Sequence, residues 1–163
     1  MENFKPDVRI DLKDQKFKFR VAGIVEHDNK ILVVRMRQNP FYCFPGGHVE
    51  LLEDTSSAVQ RELDEELYFK VKVNKLLYIH ENFFRAENKD FHELCFYYKC
   101  EPVDKSLKTD SVLWHEIDKG EELTHEYVWL DRETLSKEDV EPKHIIKRFL
   151  EDENKFLHFI TRD

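Results

Sequence analysis

The sequence has few cysteines and no long apolar run, and each shortage excludes a class of protein. Cys43, Cys95 and Cys100 form no C-x-x-C pair, and their odd number and scatter fit reduced thiols rather than a disulfide framework. No stretch approaches the ~18 apolar residues that a membrane span needs. Residues 1–7 lack the apolar segment of a signal peptide. We therefore expect a cytoplasmic protein that does not contact a membrane.

The sequence also has fewer basic residues than acidic ones: 26 basic and 34 acidic residues give a net charge of −8. Such a field disfavours non-specific binding to a nucleic acid duplex or an anionic membrane. A polyanionic substrate would therefore need a local basic patch or bridging cations. The 163 residues suffice for a sizeable core, to which thirteen phenylalanines contribute, and we expect a single domain over residues 1–163.

Apolar periodicity predicts a mixed sheet with two main helices. Residues 17–25 and 31–37 predict two strands, joined as a hairpin by the turn signal at Asp28 and Asn29. Further strands are predicted at 71–73, 76–80, 93–100 and 126–130, with loops at 85–90 and 104–110. Residues 142–151 predict a C-terminal helix, and the apolar tail at 156–160 is expected to pack on the domain or on a partner. The pattern predicts an α/β sandwich.

The most informative stretch is a glycine loop followed by an acidic helix. Asp54 is a good N-cap for a helix that runs to about Leu67. At ~100° per residue, an apolar stripe of this helix lies beside an acidic one. The apolar stripe contains Val59, Leu63 and Leu67, and the acidic stripe contains Glu62, Glu65 and Glu66.

The acidic stripe has two interpretations. Like charges at these spacings cost up to ~0.5 kcal/mol per pair, and Arg61 is the only basic residue in the helix. The acids either form a solvated face or bind a cation that turns this cost into a gain. Mg²⁺ suits them, because it takes oxygen ligands and keeps waters for contact with a substrate.

The spacing of the whole run resembles the Nudix box, G-x5-E-x7-R-E-U-x-E-E-x-G-U, where U is a bulky apolar residue. The positions in register are Gly47, Glu53, Arg61, Glu62, Leu63, Glu65 and Glu66. Phe44-Pro45-Gly46-Gly47 also resembles the lead-in of that family, and the box covers residues 47–69. The resemblance implies a Nudix-type α/β/α sandwich with a mixed sheet, a central box helix and a C-terminal helix.

Two positions depart from the box. Tyr68 stands where the family has its last Gly, and Phe69 replaces the usual aliphatic residue. That Gly lets the chain leave the helix with positive φ, which is unfavourable for Tyr. We therefore expect the chain to leave the helix by another route, with no effect on metal or proton chemistry.

The resemblance implies metal-dependent hydrolysis of a pyrophosphate linkage in a nucleoside diphosphate derivative, which includes nucleotide sugars and nucleoside triphosphates. By position, Glu62, Glu65 and Glu66 would bind Mg²⁺ or Mn²⁺ with the Gly47 carbonyl. Glu65 or Glu66 would also hold or deprotonate the attacking water. Glu53 would tune the metal site or orient Arg61, whose fork could pair with a carboxylate. Phosphoryl transfer needs this charge neutralisation and in-line positioning.

Candidates outside the box are less specific. Glu126 or Glu93 could supply a general base from another element, and the alternative is that each is an ordinary surface acid. Arg20 and Arg35 could reach substrate phosphates, since Arg suits that geometry, or could be solvated cations at a strand edge. Phe44 could stack on a base or belong to the core.

Two other classes of protein compete with the hydrolase. The first is a non-catalytic Nudix-fold sensor that binds a nucleotide or another ligand, and the second is an acidic interaction protein with a fortuitous match. Degenerate boxes usually mark the sensors, whereas all four box glutamates are present here. The expected partner is a small nucleotide, and the protein is expected to be a monomer or a homodimer.

Overall fold

A computed structural model describes residues 5–37, 39–110, 112–118 and 121–163, and the side chains of 112–118 and 121–124 are not described. The strands are β1 Arg9–Asp11, β2 Gln15–His27, β3 Lys30–Met36, β4 Tyr42–Cys43, β5 Gly46–His48, β6 Val71–Ala86, β7 Lys89–Pro102, β8 Val112–Asp118, β9 Glu121–Asp131, β10 Val140–Glu141 and β11 Leu157–Arg162. The helices are α1 Thr55–Glu66, α2 Arg132–Lys137 and α3 Lys143–Glu151.

The sheet is mixed, as the sequence predicts. Its strands follow the order β10-β4-β3-β2-β7-β6-β11, and β9 pairs with both β3 and β8. The pairs β2 with β7, β4 with β10 and β6 with β11 are parallel, whereas β6 with β7 and β3 with β9 are antiparallel. Strand β2 is central, and it also pairs with β5 and so brings the glycine loop into the sheet.

Two tight turns connect consecutive strands. The predicted hairpin of β2 and β3 is confirmed, and its turn residues Asp28 and Asn29 have φ of 48° and 60°, which a two-residue hairpin turn requires. The loop predicted at 85–90 is wrong in length. Only Glu87 and Asn88 lie outside the strands, again with positive φ. The flanking polar residues belong to the strand ends, where their side chains can reach solvent.

The two main helices pack on opposite faces of the sheet. Helix α1 buries Ala58, Val59 and Leu63 in a core cluster with β2 and β3, and the predicted N-cap at Asp54 is confirmed, since its side chain accepts from Ser57 N. Helix α3 buries Ile145, Ile146 and Phe149 in a second cluster. The structure is therefore the α/β/α sandwich that the sequence predicts.

The chain leaves α1 without a glycine. Leu67, the C-cap, has φ −100° and ψ 143°, and Tyr68 does not have a positive φ. The chain thus becomes extended at once, which a Tyr tolerates. Phe69 stacks on Trp129 with ring centroids 5.9 Å apart. The aromatic ring that replaces the usual aliphatic residue of the box therefore packs against the core.

The apolar tail packs on the domain. Strand β11 runs parallel to β6, from the register pair Leu157 and Tyr78 to the pair Arg162 and Phe83. Leu157 and Phe159 pack against the α3 cluster. Among the residues that the structure describes, no helix is both long and apolar enough to cross a membrane.

Candidate active site

The glycine loop lies directly against the central strand. Gly46 and Gly47 pair with Ala22 and Val21 of β2. Gly46 has φ 152°, and a Cβ there would stand 2.2 Å from the carbonyl oxygen of Val21. A Cβ on Gly47 would stand 2.2 Å from Oε2 of Glu62. Both glycines are therefore required for close approach, the first to backbone and the second to a box carboxylate.

The three acids of the predicted stripe differ in their surroundings. The Glu62 side chain is 15% exposed and lies against Gly47, whereas the Glu65 side chain is 61% exposed. Gly46 N donates to Oε2 of Glu66 at 3.2 Å. The structure therefore brings Glu62 and Glu66 to the loop and leaves Glu65 at the rim.

Arg61 joins the loop, the helix and Glu53. Its Nε and Nη2 donate to the two oxygens of Glu53 at 3.0 and 2.9 Å, a bidentate pair. Its Nη1 donates to Glu62 at 2.9 Å, and its Nη2 also donates to the carbonyl oxygen of His48 at 3.0 Å. Glu65 lies 3.6 Å from Nη1. The pairing of Glu53 with Arg61 that the sequence predicts is present, and its role in orienting the site stays a prediction.

The electrostatics of this cluster favour an additional cation. Burial raises the pKa of Glu62, even though the neighbouring Arg61 acts in the opposite direction. Hydrogen bonds from Arg61 lower the pKa of Glu53. One guanidinium thus serves several carboxylates, and at the half-buried Glu62 burial disfavours the ionised form more than Arg61 favours it.

The donor set fits a hard divalent cation. Carboxylate and backbone oxygens are the ligands that Mg²⁺ and Mn²⁺ prefer. Within the described part of the chain, no three side chains of His, Cys, Asp or Glu already converge as a metal-binding group. Glu62 and Glu66 lie at the loop, where the missing Cβ of Gly47 leaves the space that the Glu62 carboxylate occupies, and Glu65 would have to turn inward to complete the predicted set.

Arg20 approaches the box from β2. It pairs in register with His48 of the loop strand and with Cys95 of β7. Its Nη1 lies 3.8 Å from Oε2 of Glu93, and its buried Nε has no hydrogen-bond partner among the described residues. Arg20 is close enough to Glu62 to counter part of the rise in the pKa of that carboxyl. The structure therefore brings two candidates from outside the box, Arg20 and Glu93, next to it.

Arg35 and Glu126 contact each other. Nε and Nη2 of Arg35 donate to Oε2 of Glu126 at 3.1 and 2.5 Å, and the guanidinium lies 4.7 Å from the ring centroid of Tyr42. Phe44 is only 4% exposed and meets Tyr97 edge-on at 6.1 Å. It therefore occupies a core position in this structure, and Tyr42 is the ring that touches a candidate arginine.

The candidates on the strands share one face of the sheet. Side chains alternate along a strand, so Arg20 lies on the same face as Ala22, and Arg35 on the same face as Val33. Ala22 and Val33 belong to the α3 cluster, whereas α1 covers the opposite face. The box carboxylates thus reach the site from the loop edge, and Arg20 and Arg35 reach it from the sheet. Sequence reasoning did not single out the basic residues before Arg20, which strand alternation alone could have indicated.

Comparisons with known proteins agree with this geometry. Residues 16–149 match the sequence model of the NUDIX domain. An ADP-ribose pyrophosphatase of Methanocaldococcus jannaschii is 43% identical over 65 residues, which cover 38% of each chain. A MutT-like protein of Streptomyces ambofaciens is 30% identical over 92 residues, or 56% of each chain. The chain thus spans about half the length of these relatives.

One solved structure supports the same fold over most of the chain. A NUDIX hydrolase from Nitrosomonas europaea aligns with a TM-score of 0.62 at 16% identity, covering 94% of this chain and 82% of that one. At this identity the likeness concerns the fold alone.

Proposed function

Because the chain belongs to the NUDIX domain family, we propose that it is a metal-dependent hydrolase that cleaves a pyrophosphate linkage in a nucleoside diphosphate derivative. The observation that carries the proposal is the contact of Glu62 and Glu66 with the backbone of Gly46 and Gly47. Two carboxylates held at a glycine loop place oxygen ligands of the kind that a divalent cation prefers next to backbone carbonyl groups.

The box residues would hold Mg²⁺ or Mn²⁺. Glu62, Glu66 and the Gly47 carbonyl would be its ligands, and Glu65 would join them if its side chain turned in from the rim. When bound, the ion neutralises phosphate oxygens and lowers the barrier to attack at phosphorus. Arg61 keeps Glu62 in place through its bond to Oε1, while Glu53 fixes Arg61 from the other side.

The remaining residues handle the proton and the substrate. Glu65 or Glu66 takes a proton from the attacking water. The oxygen of that water bonds to phosphorus as the bridging P–O bond breaks. Arg20 binds a phosphate oxygen through the donors that Glu93 does not occupy, and Arg35, on the same face of the sheet, contacts the substrate further along. Glu93 and Glu126 remain alternative bases, and each already lies beside an arginine.

The test is an assay with Mg²⁺ or Mn²⁺ and a panel of nucleoside triphosphates, nucleotide sugars and dinucleotides, with phosphate and pyrophosphate as readouts. Glu65→Gln and Glu66→Gln should each lower turnover by orders of magnitude. Glu133→Gln is the matched control, because Glu133 is exposed on α2 and contacts Lys137. Wild-type turnover in Glu65→Gln and Glu66→Gln would contradict the catalytic assignment.

The same panel separates the hydrolase from a ligand sensor. A sensor would gain thermal stability with one compound and turn over none, with or without metal. Light scattering on the same sample distinguishes a monomer from a homodimer. The expected ligand in either case is a small nucleotide rather than a nucleic acid duplex.

A further inference from the structure

A basic column runs along β2 away from the box. Lys16, Lys18 and Arg20 occupy alternate positions, so all three side chains lie on the face of the sheet that also carries the candidate residue Arg35. At ~3.3 Å per residue, Lys18 lies ~7 Å and Lys16 ~13 Å from Arg20 along the strand. In a chain with net charge −8, three cations in one line form the local basic patch that a polyanion would need.

The outer members of the column already have acidic partners. Lys16 Nζ lies 3.1 Å from Asp11, which also accepts from Lys89 at 2.9 Å. Arg20 lies 3.8 Å from Glu93. These acids hold the two side chains in place and reduce the charge that either can offer to a ligand.

Lys18, between them, is different. Among the described residues, no carboxylate oxygen lies within 4 Å of the Lys18 Nζ. Glu93, the register partner of Lys18 on β7, is therefore not an ion-pair partner of this lysine. The ammonium instead lies 5.2 Å from the ring centroid of Phe91. Burial, and next Arg20, lower the pKa of Lys18, while Glu93 and Glu87 oppose this to a smaller extent. A half-buried lysine without an ion-pair partner gains stability from an anion at this position.

Phe91 fixes where that anion would lie. Its ring stacks on Phe84, its register partner on β6, with centroids 4.9 Å apart and planes 9° apart. The ring is 7% exposed, and its centroid lies 5.2 Å from Nζ of Lys18 and 5.9 Å from Nζ of Lys16. The ammonium of Lys18 therefore lies near a buried ring and next to Arg20 along the same face of the sheet.

We propose that Lys18 binds an anionic group of the substrate that lies beyond the two phosphates of the cleaved linkage, which makes nucleoside triphosphates better substrates than nucleotide sugars. This inference rests on the proposed function, because Arg20 is taken to bind the phosphate nearest the box. A nucleotide sugar places a neutral sugar beside Lys18 and leaves its ammonium without a partner. A triphosphate places a third phosphate there.

The experiment compares kcat/KM for a nucleoside triphosphate and a nucleotide sugar in Lys18→Gln. We expect a loss of about tenfold or more for the triphosphate and less than about twofold for the nucleotide sugar. Lys18→Arg, which keeps the charge, should restore most of the triphosphate activity. Lys72→Gln is the control, since Lys72 is exposed at the far end of β6. An equal loss for both substrates, or no loss for the triphosphate, overturns the proposal and leaves the hydrolase assignment intact.

A binding measurement distinguishes failure of the proposed hydrolase function from failure of the role assigned to Lys18. If the wild type hydrolyses neither substrate, the proposed function fails, and calorimetry with inorganic tripolyphosphate and pyrophosphate in Mg²⁺ then tests Lys18 alone. Lys18→Gln should weaken tripolyphosphate about tenfold and leave pyrophosphate unchanged. Equal binding of tripolyphosphate by the wild type and the variant overturns the assignment of Lys18. Circular dichroism confirms that each variant is folded.

Discussion

The two halves of the candidate site are built in different ways. The box half lies between Gly47 and Glu66 in one loop and one helix, and Arg61 fastens it with four hydrogen bonds of 2.9–3.0 Å. The strand half comes from β2, β3, β7 and β9, and its ion pairs range from 2.5 Å for Arg35 with Glu126 to 3.8 Å for Arg20 with Glu93. The box half is thus held together within one short stretch of the chain, whereas the strand half depends on the pairing of segments that are distant in sequence.

Substitutions at Glu62 and Arg35 should separate the two halves by their kinetics. Glu62→Gln removes a charged oxygen of the proposed metal site and should lower kcat by about 100-fold or more. Arg35→Gln removes a guanidinium that is 39% exposed and is proposed to contact the substrate, so it should mainly raise KM, by about tenfold or less. Steady-state kinetics on the best panel substrate measure both. A greater loss of kcat in Arg35→Gln than in Glu62→Gln would reverse the roles of the halves.

The two glycines of the loop should separate folding from activity. Gly46→Ala forces a side chain into positive φ and against the Val21 carbonyl, and should lower the free energy of unfolding by about 3 kcal/mol. Gly47→Ala displaces only the end of the Glu62 side chain, so it should lower metal affinity and turnover while stability changes by less than about 1 kcal/mol. Urea unfolding and Mn²⁺ titration measure the two. Equal stability of both variants would show that the loop is not held as described.

The box half should also contribute stability that depends on pH. Arg61 lowers the pKa of Glu53 below its ordinary value of 4.5, so folding favours the ionised carboxylate. This stability is complete above pH 4.5 and is lost as the pH falls through the lower pKa of the folded state. Glu53→Gln should cost about 2 kcal/mol of unfolding free energy at pH 7, and the difference from wild type should shrink below pH 4.5. A difference that grows on acidification would contradict the pairing.

The smallest effect concerns the strand half. The side chains of Arg35 and Glu126 are 39% and 32% exposed, so solvent screens their attraction despite the short contact. A double-mutant cycle with Arg35→Ala and Glu126→Ala should give a coupling of about 1 kcal/mol or less in unfolding free energy. The same cycle for Arg61 and Glu53 should give a larger value. Equal couplings would remove the contrast between the halves.

The features that the sequence predicts correctly depend on residues that are close together along the chain. The N-cap at Asp54, the end of α1 near Leu67 and the spacing of the box acids depend on neighbours within one or two helical turns, and the structure confirms the helix boundaries. The short strands β1, β4, β5 and β10 and the six-residue helix α2 carry too few residues for a periodic signal, so they were missed. The separate surroundings of Glu62 and Glu65 depend on the glycine loop, which no spacing along the helix can indicate.

The strand half depends on register between segments that are distant in sequence. Arg35 meets Glu126 because β3 and β9 pair antiparallel at those positions, and Arg20 meets Glu93 through the parallel pairing of β2 and β7. Neither pairing follows from local pattern. The alternation of side chains along β2, in contrast, follows from the sequence, and it places Lys18 on the same face of the sheet as Arg20.

Anomalous scattering tests directly the proposal that Glu62, Glu66 and the Gly47 carbonyl bind a divalent cation. Crystals grown with Mn²⁺ and a non-hydrolysable nucleotide would be measured near the manganese absorption edge. We predict an anomalous peak in contact with both carboxylates and the Gly47 carbonyl, and its absence from crystals of Glu62→Gln. A peak at another site, or none at Mn²⁺ concentrations that support turnover, would contradict the claim.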